Sequence, residues 1–407
     1  MRHLRHRYYA FIVFGFVTML TGCVGVSSTP LTPSPAERAA TRTQSNVKYK
    51  LLYNFLRPYK NGANPYGGLI AVDDTLYGTA GYGGKTGSGT VFAITSSGKK
   101  TTLSSFSGFG GALPLADLTD VNGTLYGTTN LGGNSGDCSS SRCGTVFSMT
   151  AFGKETVLHN FGGRDGAQPQ SKLISVNGTL YGTTLAGGTK NQGTVFTIAT
   201  SGKLTVLHNF GGGDGLNPRA GLIDVKGTLY GTTEFGGGGC GSFGCGTVFS
   251  ITPSGKESVI YAFSGGTDGD APTAGLINVN GILYGTTGNG GTGFCSGLGC
   301  GTVFSVTPAG KETVLHTFTG ADGALPWAGL TSVKGKLYGT TMSGGAYGFG
   351  TIFSITSSGT ETVLYSFAPY GDGNNPFGVL LNVKGTLYGT TAHGGAQSNG
   401  TIFSLRL

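Results

Sequence analysis

From Lys48 onward the apolar residues fall in short runs broken by Gly, Asn, Ser and Thr, and the runs recur as one unit. Runs of that length bounded by turn residues predict β-strands. The stretch from Ala220 shows the unit. Ala220–Val225 is a first strand, Lys226-Gly227 a tight turn, and Leu229–Thr233 a second strand. A Gly-rich loop follows, then a third strand, Gly246–Thr252. Pro253-Ser254-Gly255-Lys256 turns the chain into a fourth strand, Glu257–Phe263. Other units place Asn122-Gly123, Asn177-Gly178 and Asn280-Gly281 at the first turn, a strong hairpin signal. Apolar side chains fall on both faces of a strand, as in Val248-Phe249 with Ile251. That pattern suits sheets sandwiched between neighbours.

Two markers count the units. Leu-Tyr-Gly begins at Leu76, Leu125, Leu180, Leu229, Leu283, Leu337 and Leu387, with spacings of 49, 55, 49, 54, 54 and 50. Gly-Thr-Val/Ile-Phe begins at Gly89, Gly144, Gly193, Gly246, Gly301, Gly350 and Gly400. A period near ~50 built of short strands is the signature of propeller blades. The two ends favour a ring over an open solenoid. Lys48–Phe55 aligns with a fourth strand and Gly400–Leu407 with a third. The expected fold is therefore an all-β, seven-bladed propeller of four-stranded blades, closed by the N-terminal strand pairing with the C-terminal three. A right-handed β-solenoid is the alternative, and it would need caps.

The unit GTLYGTT..GG..GTVF resembles the GloVer tandem repeat of bacterial surface proteins, over residues 48–407. The resemblance implies display on the cell envelope, on whatever anchor is attached. It brings no agreed catalytic residues.

The N-terminus supplies a candidate anchor. MRHLRHRYY is a basic region, AFIVFGFVTML an apolar one, and Leu20-Thr21-Gly22-Cys23 closes it. The apolar stretch is shorter than the ~20 residues of a membrane span. Its order matches a signal peptide, and the final four residues resemble the lipobox of bacterial lipoproteins. That resemblance implies cleavage before Cys23 and acylation of it, giving a membrane partner through lipid. Val24 in place of Asp leans toward the outer membrane. Residues 1–22 are thus expected as signal peptide, 23–46 as a Ser/Thr/Pro-rich tether, and 47–407 as the propeller.

Composition narrows the function. Of 407 residues 79 are Gly, and only 11% are charged, against usual values of ~7% and ~25%. An apolar share of 38% argues against wholesale disorder. Net charge is +8 and falls to +5 without Arg2, Arg5 and Arg7. No basic run follows a phosphate backbone, so no nucleic-acid partner is expected.

Six cysteines form three pairs, Cys138/Cys143, Cys240/Cys245 and Cys295/Cys300. From Leu-Tyr-Gly to the second marker is 13 residues in units without Cys, and 19, 17 and 18 in those with it. Cysteines confined to extended loops favour local disulfides over a metal site, which needs four converging ligands.

The blade connections carry Asp-Gly-x-x-Pro at Asp165, Asp214, Asp268, Asp322 and Asp372. Two readings compete: a turn in which Asp holds its own backbone, and a ring of carboxylates that binds cations or sugars. The turn is favoured. His159, His208 and His316 share their strand position with Tyr53, Tyr261 and Tyr365, which reads as aromatic packing. Residues after Thr-Thr vary freely, among them Glu234-Phe235 and Ala392-His393. Together the five Asp residues with Glu234, Phe235 and His393 make the candidate binding face, near the central opening. Short turns rich in Lys, including Lys99 and Lys100, are expected on the opposite face.

These observations point to an envelope lipoprotein that presents a monomeric propeller as a non-catalytic module for a protein or glycan ligand. No catalytic residue, metal or cofactor is assigned. A propeller enzyme of hydrolase, lyase or quinone-dependent dehydrogenase type is the alternative, and an assembly scaffold is another. Quinoprotein propellers resemble this chain in their Gly-x-Leu-Tyr strands, but their blades dock through repeated Trp, and Trp327 stands alone.

Replacing Cys23 by Ser is expected to move the protein out of the detergent phase and to block lipoprotein processing. A Cys23→Ser chain that still partitions with membranes would contradict the lipobox reading.

Overall fold

The computed structural model describes residues 47–135, 138, 143–295, 297–369 and 371–407. The expected signal peptide, Cys23 and the tether lie outside the described residues. Val47 to Leu407 form seven four-stranded antiparallel sheets, arranged as a seven-bladed β-propeller. Blades 1 to 6 open with innermost strands Ile70–Val72, Thr119–Val121, Ile174–Val176, Ile223–Val225, Ile277–Val279 and Thr331–Val333. Blade 7 opens with Leu381–Val383. Each innermost strand touches the next around the ring, and Leu381–Val383 touches Ile70–Val72. The solenoid alternative is thereby excluded.

Blade 7 joins both ends of the chain. Its outermost strand, Lys48–Asn54, pairs with Thr401–Arg406 in a register that runs from Lys48 opposite Arg406 to Asn54 opposite Thr401. The first turn of each blade is tight because its residues accept left-handed backbone: Asn122 and Gly123 have φ of 53° and 80°. Lys226, Lys334 and Lys384 adopt the same conformation, at φ of 54°, 51° and 51°. The innermost strand is shorter than expected from sequence. Ala220-Gly221-Leu222 do not pair with the second strand, which meets only Ile223–Val225. Gly221 instead runs along the neighbouring blade, where an added Cβ would lie 2.8 Å from the Lys172 carbonyl oxygen.

Two contacts tie each blade to the next. The Phe of the second marker sits opposite the Gly of Leu-Tyr-Gly, as Phe147 opposite Gly127. A Cβ on Gly127 would come within 2.6 Å of that ring, so the glycine makes room for it. A second Phe, at the end of the preceding blade's outermost strand, meets the first edge-on. The pairs run Phe55–Phe92, Phe106–Phe147, Phe161–Phe196, Phe210–Phe249, Phe263–Phe304, Phe318–Phe353 and Phe367–Phe403, with centroids 5.1 to 5.7 Å apart. Edge-to-face geometry of this kind adds about 0.5–1.5 kcal/mol beyond burial alone.

The second contact is a hydroxyl latch. The first Thr after Leu-Tyr-Gly donates to the backbone carbonyl that leads into the next blade. Thr79 reaches Ala116 at 3.0 Å, Thr183 reaches Ala220 at 2.9 Å, and Thr232 reaches Ala274 at 3.0 Å. Thr128 and Thr286 bond Ser171 and Ala328 at 3.2 and 3.3 Å. Thr390 closes the ring on Gly67 at 2.8 Å. The Thr340 hydroxyl, at the blade 6 to blade 7 junction, makes no such bond.

The following Thr bonds inside its own blade. Thr129 pairs with Thr145, Thr184 with Thr194, Thr233 with Thr247 and Thr391 with Thr401, each at 2.8 Å. Blade 1 has Ala80 in that place, and the buried Thr90 hydroxyl is left without a partner.

Near the outer edge, each junction brings together three positions. Two come from the outermost strand and connection of one blade, and the third from the outermost strand of the next. In the junction of blades 3 and 4 they are His208, Asp214 and Glu257. In that of blades 5 and 6 they are His316, Asp322 and Glu361. Tyr261 bonds Asp268 at 2.9 Å, and the Asp268 charge acts on Glu312. Ser104 donates to Glu155 at 3.0 Å. Tyr49 stacks on Tyr365 at 4.0 Å. At the ring seam Lys100 sits over Tyr53 and donates to the Asn61 carbonyl at 2.7 Å. Lys100 is therefore not a solvated turn residue, as its sequence position suggests. Burial pulls its ammonium down to about 7.

The cysteine pairs are disulfides, with Cα atoms 5.6, 5.1 and 5.0 Å apart. Cys143, Cys245 and Cys300 are buried in the clusters between blades, so each staple fastens a long loop to the core.

Two predictions come from this packing. Ala80→Thr should complete the blade 1 pair with Thr90 and stabilise the ring by about 1 kcal/mol, the net value of a typical hydrogen bond. Calorimetry should show the higher Tm, and a lower one would mean that the pocket has no room. The second concerns pH. Burial, with a neighbouring Asp charge, raises Glu257 and Glu312 from 4.5 to about 7. Glu361 is raised by burial to the same value. A carboxyl raised on folding holds its proton more firmly in the folded state, so stability falls as pH rises from the ordinary Glu range through about 7. His393, lowered by burial, acts in the opposite sense over part of that window. Lys100, drawn down to about 7 by burial, opposes the trend only from there upward, so Tm should fall between pH 5 and pH 7. Replacing Glu257, Glu312 and Glu361 by Gln should flatten the profile; an unchanged slope would refute the assignment.

Candidate functional site

The second-to-third loops and the blade-to-blade connections emerge together on one face. They are bridged to each other, Ala63 to Tyr82, Ala112 to Leu131, Leu216 to Phe235 and Gly373 to Gly394 among them. Each connection is held by its proline. The Pro169 ring lies against Gly144 of the preceding blade's second marker, whose φ of 93° leaves no place for a side chain. The two motifs of the repeat are thus complementary surfaces.

Along a connection, position sets distance from the axis. The Asp residues come first and lie near the rim. Asp165 accepts from the Gly162 amide at 2.8 Å and meets His159 Nε2 at 2.7 Å. Asp214 does the same with Gly211 and His208, at 2.7 and 2.8 Å. Asp322 holds the Thr319 amide and His316, at 2.8 and 2.9 Å. Asp268 and Asp372 accept from Tyr261 and Tyr365 instead. The carboxylates hold their own turns, and the His and Tyr residues that read as packing positions are their partners. Bonds from His159 and His316, with backbone amides, keep Asp165 and Asp322 below the usual carboxylate range although burial opposes this.

The residue after the proline lies closest to the axis on this face, because the innermost strand starts a few residues later. Around the ring these residues are Tyr66, Leu115, Gln170, Arg219, Thr273, Trp327 and Phe377. On blades 6, 7 and 1 they form a continuous aromatic arc. Trp327 meets Phe377 at 5.7 Å, and Phe377 meets Tyr66 at 5.4 Å. Tyr82 and His393 extend it, with centroids 6.4 and 6.2 Å from Tyr66. All five rings are partly exposed. Trp327 rests on Gly288 of blade 5, where a Cβ would be 2.7 Å from the indole nitrogen.

The far wall is polar. Arg219 pairs with Glu234 at 3.4 Å. Burial raises the Glu234 carboxyl, and Arg219 opposes the rise. Asp270 nearby is also raised, by burial above all, with Glu234 and Asp268 adding to it. Beside the arc, His393 Nδ1 lies 3.1 Å from the Asn64 side-chain nitrogen, so the ring accepts there. Burial lowers its pKa. Phe235 is half-buried next to Glu234.

Beneath the mouth the segments that lead into the innermost strands run close beside one another. Gly68, Gly221, Gly275 and Gly329 face the axis with Asp117, Lys172 and Val379. Gly68 donates its amide to Asp117. Burial raises the Asp117 carboxyl, and the Lys172 charge opposes it. An open depression lined by Tyr59, Lys60, Lys85 and residues 102–105 lies elsewhere, at the outer edge of the seam.

The structure therefore separates the sequence-predicted face into two places. Glu234, Phe235 and His393 belong to the mouth, whereas Asp165, Asp214, Asp268, Asp322 and Asp372 belong to the rim. Sequence reading missed Tyr66, Trp327 and Phe377. The available signal was the position after each proline, which carries Tyr66, Trp327 and Phe377 in three of the seven units between a proline and a leucine that recur.

A propeller with a recessed, aromatic-lined mouth on its loop face is the class that fold and geometry define. Residues 40–242 and 238–407 match the Gloeobacter/Verrucomicrobia repeat, and the chain belongs to that family. No curated protein matches it in sequence. Among solved structures it is similar to luciferin-regenerating enzyme, at 12% identity and a TM-score of 0.45, covering 89% of this chain and 96% of that one. A candidate 6-phosphogluconolactonase from Bacteroides uniformis is similar at 14% identity and a TM-score of 0.49, over 77% and 86% of the two chains. The tricorn protease gives 11% identity and a TM-score of 0.43 over 80% of this chain, which spans 27% of that much longer protein.

Proposed function

We propose that the chain is a cell-envelope lipoprotein whose propeller is a non-catalytic binding module, and that the mouth of its loop face takes a glycan. The aromatic arc of Trp327, Phe377 and Tyr66 carries this reading. Sugar rings present flat faces of C–H bonds that stack on aromatic side chains, while their hydroxyls need donors and acceptors at the edges. The arc supplies the first requirement. Arg219, Glu234, Asn64 and His393 supply the second. A small set of placed polar groups around apolar walls is the usual make-up of a small-molecule site. Disulfides in the long loops suit an oxidising compartment. The lipobox-like sequence around Cys23 supports lipid anchoring at the outer membrane or cell surface.

A glycan array followed by calorimetric titration tests the site. Trp327→Ala with Phe377→Ala should weaken binding at least ~10-fold, since losing about 1.4 kcal/mol is a factor of ten. Replacing the rim residues Asp165 and Asp214 by Asn should leave affinity within a few-fold. Binding that survives loss of the arc but not of the rim would place the site at the rim. Turnover of a bound sugar would favour the enzyme reading instead, and a captured envelope protein with no glycan would favour the scaffold.

A further inference from the structure

The rim holds chemistry that the mouth does not use. Among the described residues, three ligand-bearing side chains converge at two of the blade junctions: His208, Asp214 and Glu257, and then His316, Asp322 and Glu361. In each set the ligand atoms lie within 4.8 Å of one another. The third cluster of potential ligands, Cys240, Cys245 and Asp270, is spent, because both thiols are in a disulfide.

We infer that these two junctions are binding sites for a divalent transition ion of the Zn2+ type, each stapling two blades at the rim. One imidazole nitrogen and two carboxylate oxygens form a borderline donor set that suits zinc better than calcium, which takes oxygen only. The histidine and aspartate are already prearranged. Nε2 and Oδ2 are hydrogen-bonded at 2.8 Å in the first site and 2.9 Å in the second, and a separation of about 3.3 Å, a small outward shift, would seat a tetrahedral ion between them. Backbone amides of Gly211 and Thr319 fix the other aspartate oxygen, which leaves Oδ2 to face inward. Outer-shell bonds of this kind orient metal ligands.

The glutamates give the independent observation. Oε1 of Glu257 and of Glu361 is buried and has no hydrogen-bond partner. The neighbouring Asp charge repels each glutamate, and only Glu361 has a cationic side chain, Lys336, acting on it from a distance. At the ring seam Lys100 stands in the position equivalent to Glu257 and donates to the Asn61 carbonyl, so that junction has no carboxylate to satisfy. His208, Asp214, His316 and Asp322 keep 19–26% of their side-chain surface, so an ion can enter from solvent. A fourth ligand position is then open to water. The sequence reading assigned no metal here, because the glutamate comes from the next unit of the repeat.

The junction of blades 2 and 3 is an internal control: it has His159 and Asp165 at 2.7 Å, but Leu204 in the glutamate position.

The test uses the full chain with disulfides intact, dialysed against micromolar Zn2+ and analysed for bound metal. Two equivalents per chain are expected, with a rise in Tm. Glu257→Gln and Glu361→Gln should each remove one equivalent. The zinc-free Tm and circular dichroism of these isosteric variants establish that they fold. Leu204→Glu should create a third site beside His159 and Asp165. Ca2+ should give a much smaller shift than Zn2+. Three results would overturn the inference: no zinc bound by the parent chain, two equivalents retained in the Glu257→Gln, Glu361→Gln double variant, or no third equivalent in a folded Leu204→Glu chain.

Discussion

Everything in this ring depends on one aromatic contact, the meeting of two phenylalanines across each blade junction. The third-strand Phe needs the space above a glycine in the second strand of its own blade, and it offers its face to the last residue of the blade before. Leu-Tyr-Gly, Gly-Thr-Val-Phe and the terminal Phe of the outer strand are therefore three parts of one joint. The contact is buried at every junction, Phe92, Phe147 and Phe249 being 0% exposed. It works for any blade because it uses no charge and no hydrogen bond. The Thr latch adds direction to it, since a hydroxyl aimed at a carbonyl fixes how one blade leans on the next.

Outside that joint the junctions are free to differ, and they do. The same three rim positions hold a His-Asp-Glu set, a Tyr-Asp-Glu set, stacked tyrosines, a Ser-Glu bond or a lysine over a tyrosine. A constant apolar joint lets the polar rim vary without loss of closure. The mouth follows the same rule. Post-proline residues are anchored by a proline and a glycine that recur, so Trp, Arg or Thr can occupy the place at no structural cost.

How much of this was legible follows from the range of each signal. The strands, their number and the closure by Lys48–Asn54 were readable because period and strand order are local properties that repeat. Turn chemistry was readable too, from Asn-Gly and from the Asp that holds its own backbone. The pairing of His159 with Asp165 was not, because the spacing is six residues with His but seven from Tyr261 to Asp268. No fixed offset therefore announces it. Glu257 and Asp214 lie in different repeats, and comparing repeats with each other hides contacts between them. The aromatic arc escaped for a related reason. Tyr66 and Phe377 are neighbours only because the ring closes, and they sit at opposite ends of the chain.

That closure has a consequence for how the protein is made. The strand Lys48–Asn54 is synthesised before blades 1 to 6, and its partner Thr401–Arg406 only after them. Asn54 bonds the amide of Ala396 across 342 positions. While those blades are made the early strand has no edge to join, and Phe55 has no ring to complete. Completion is therefore a late, all-or-none event that a chain interrupted anywhere in its last blade cannot reach. A product that lacks Thr401–Arg406 keeps an open edge, a template on which other chains can pair.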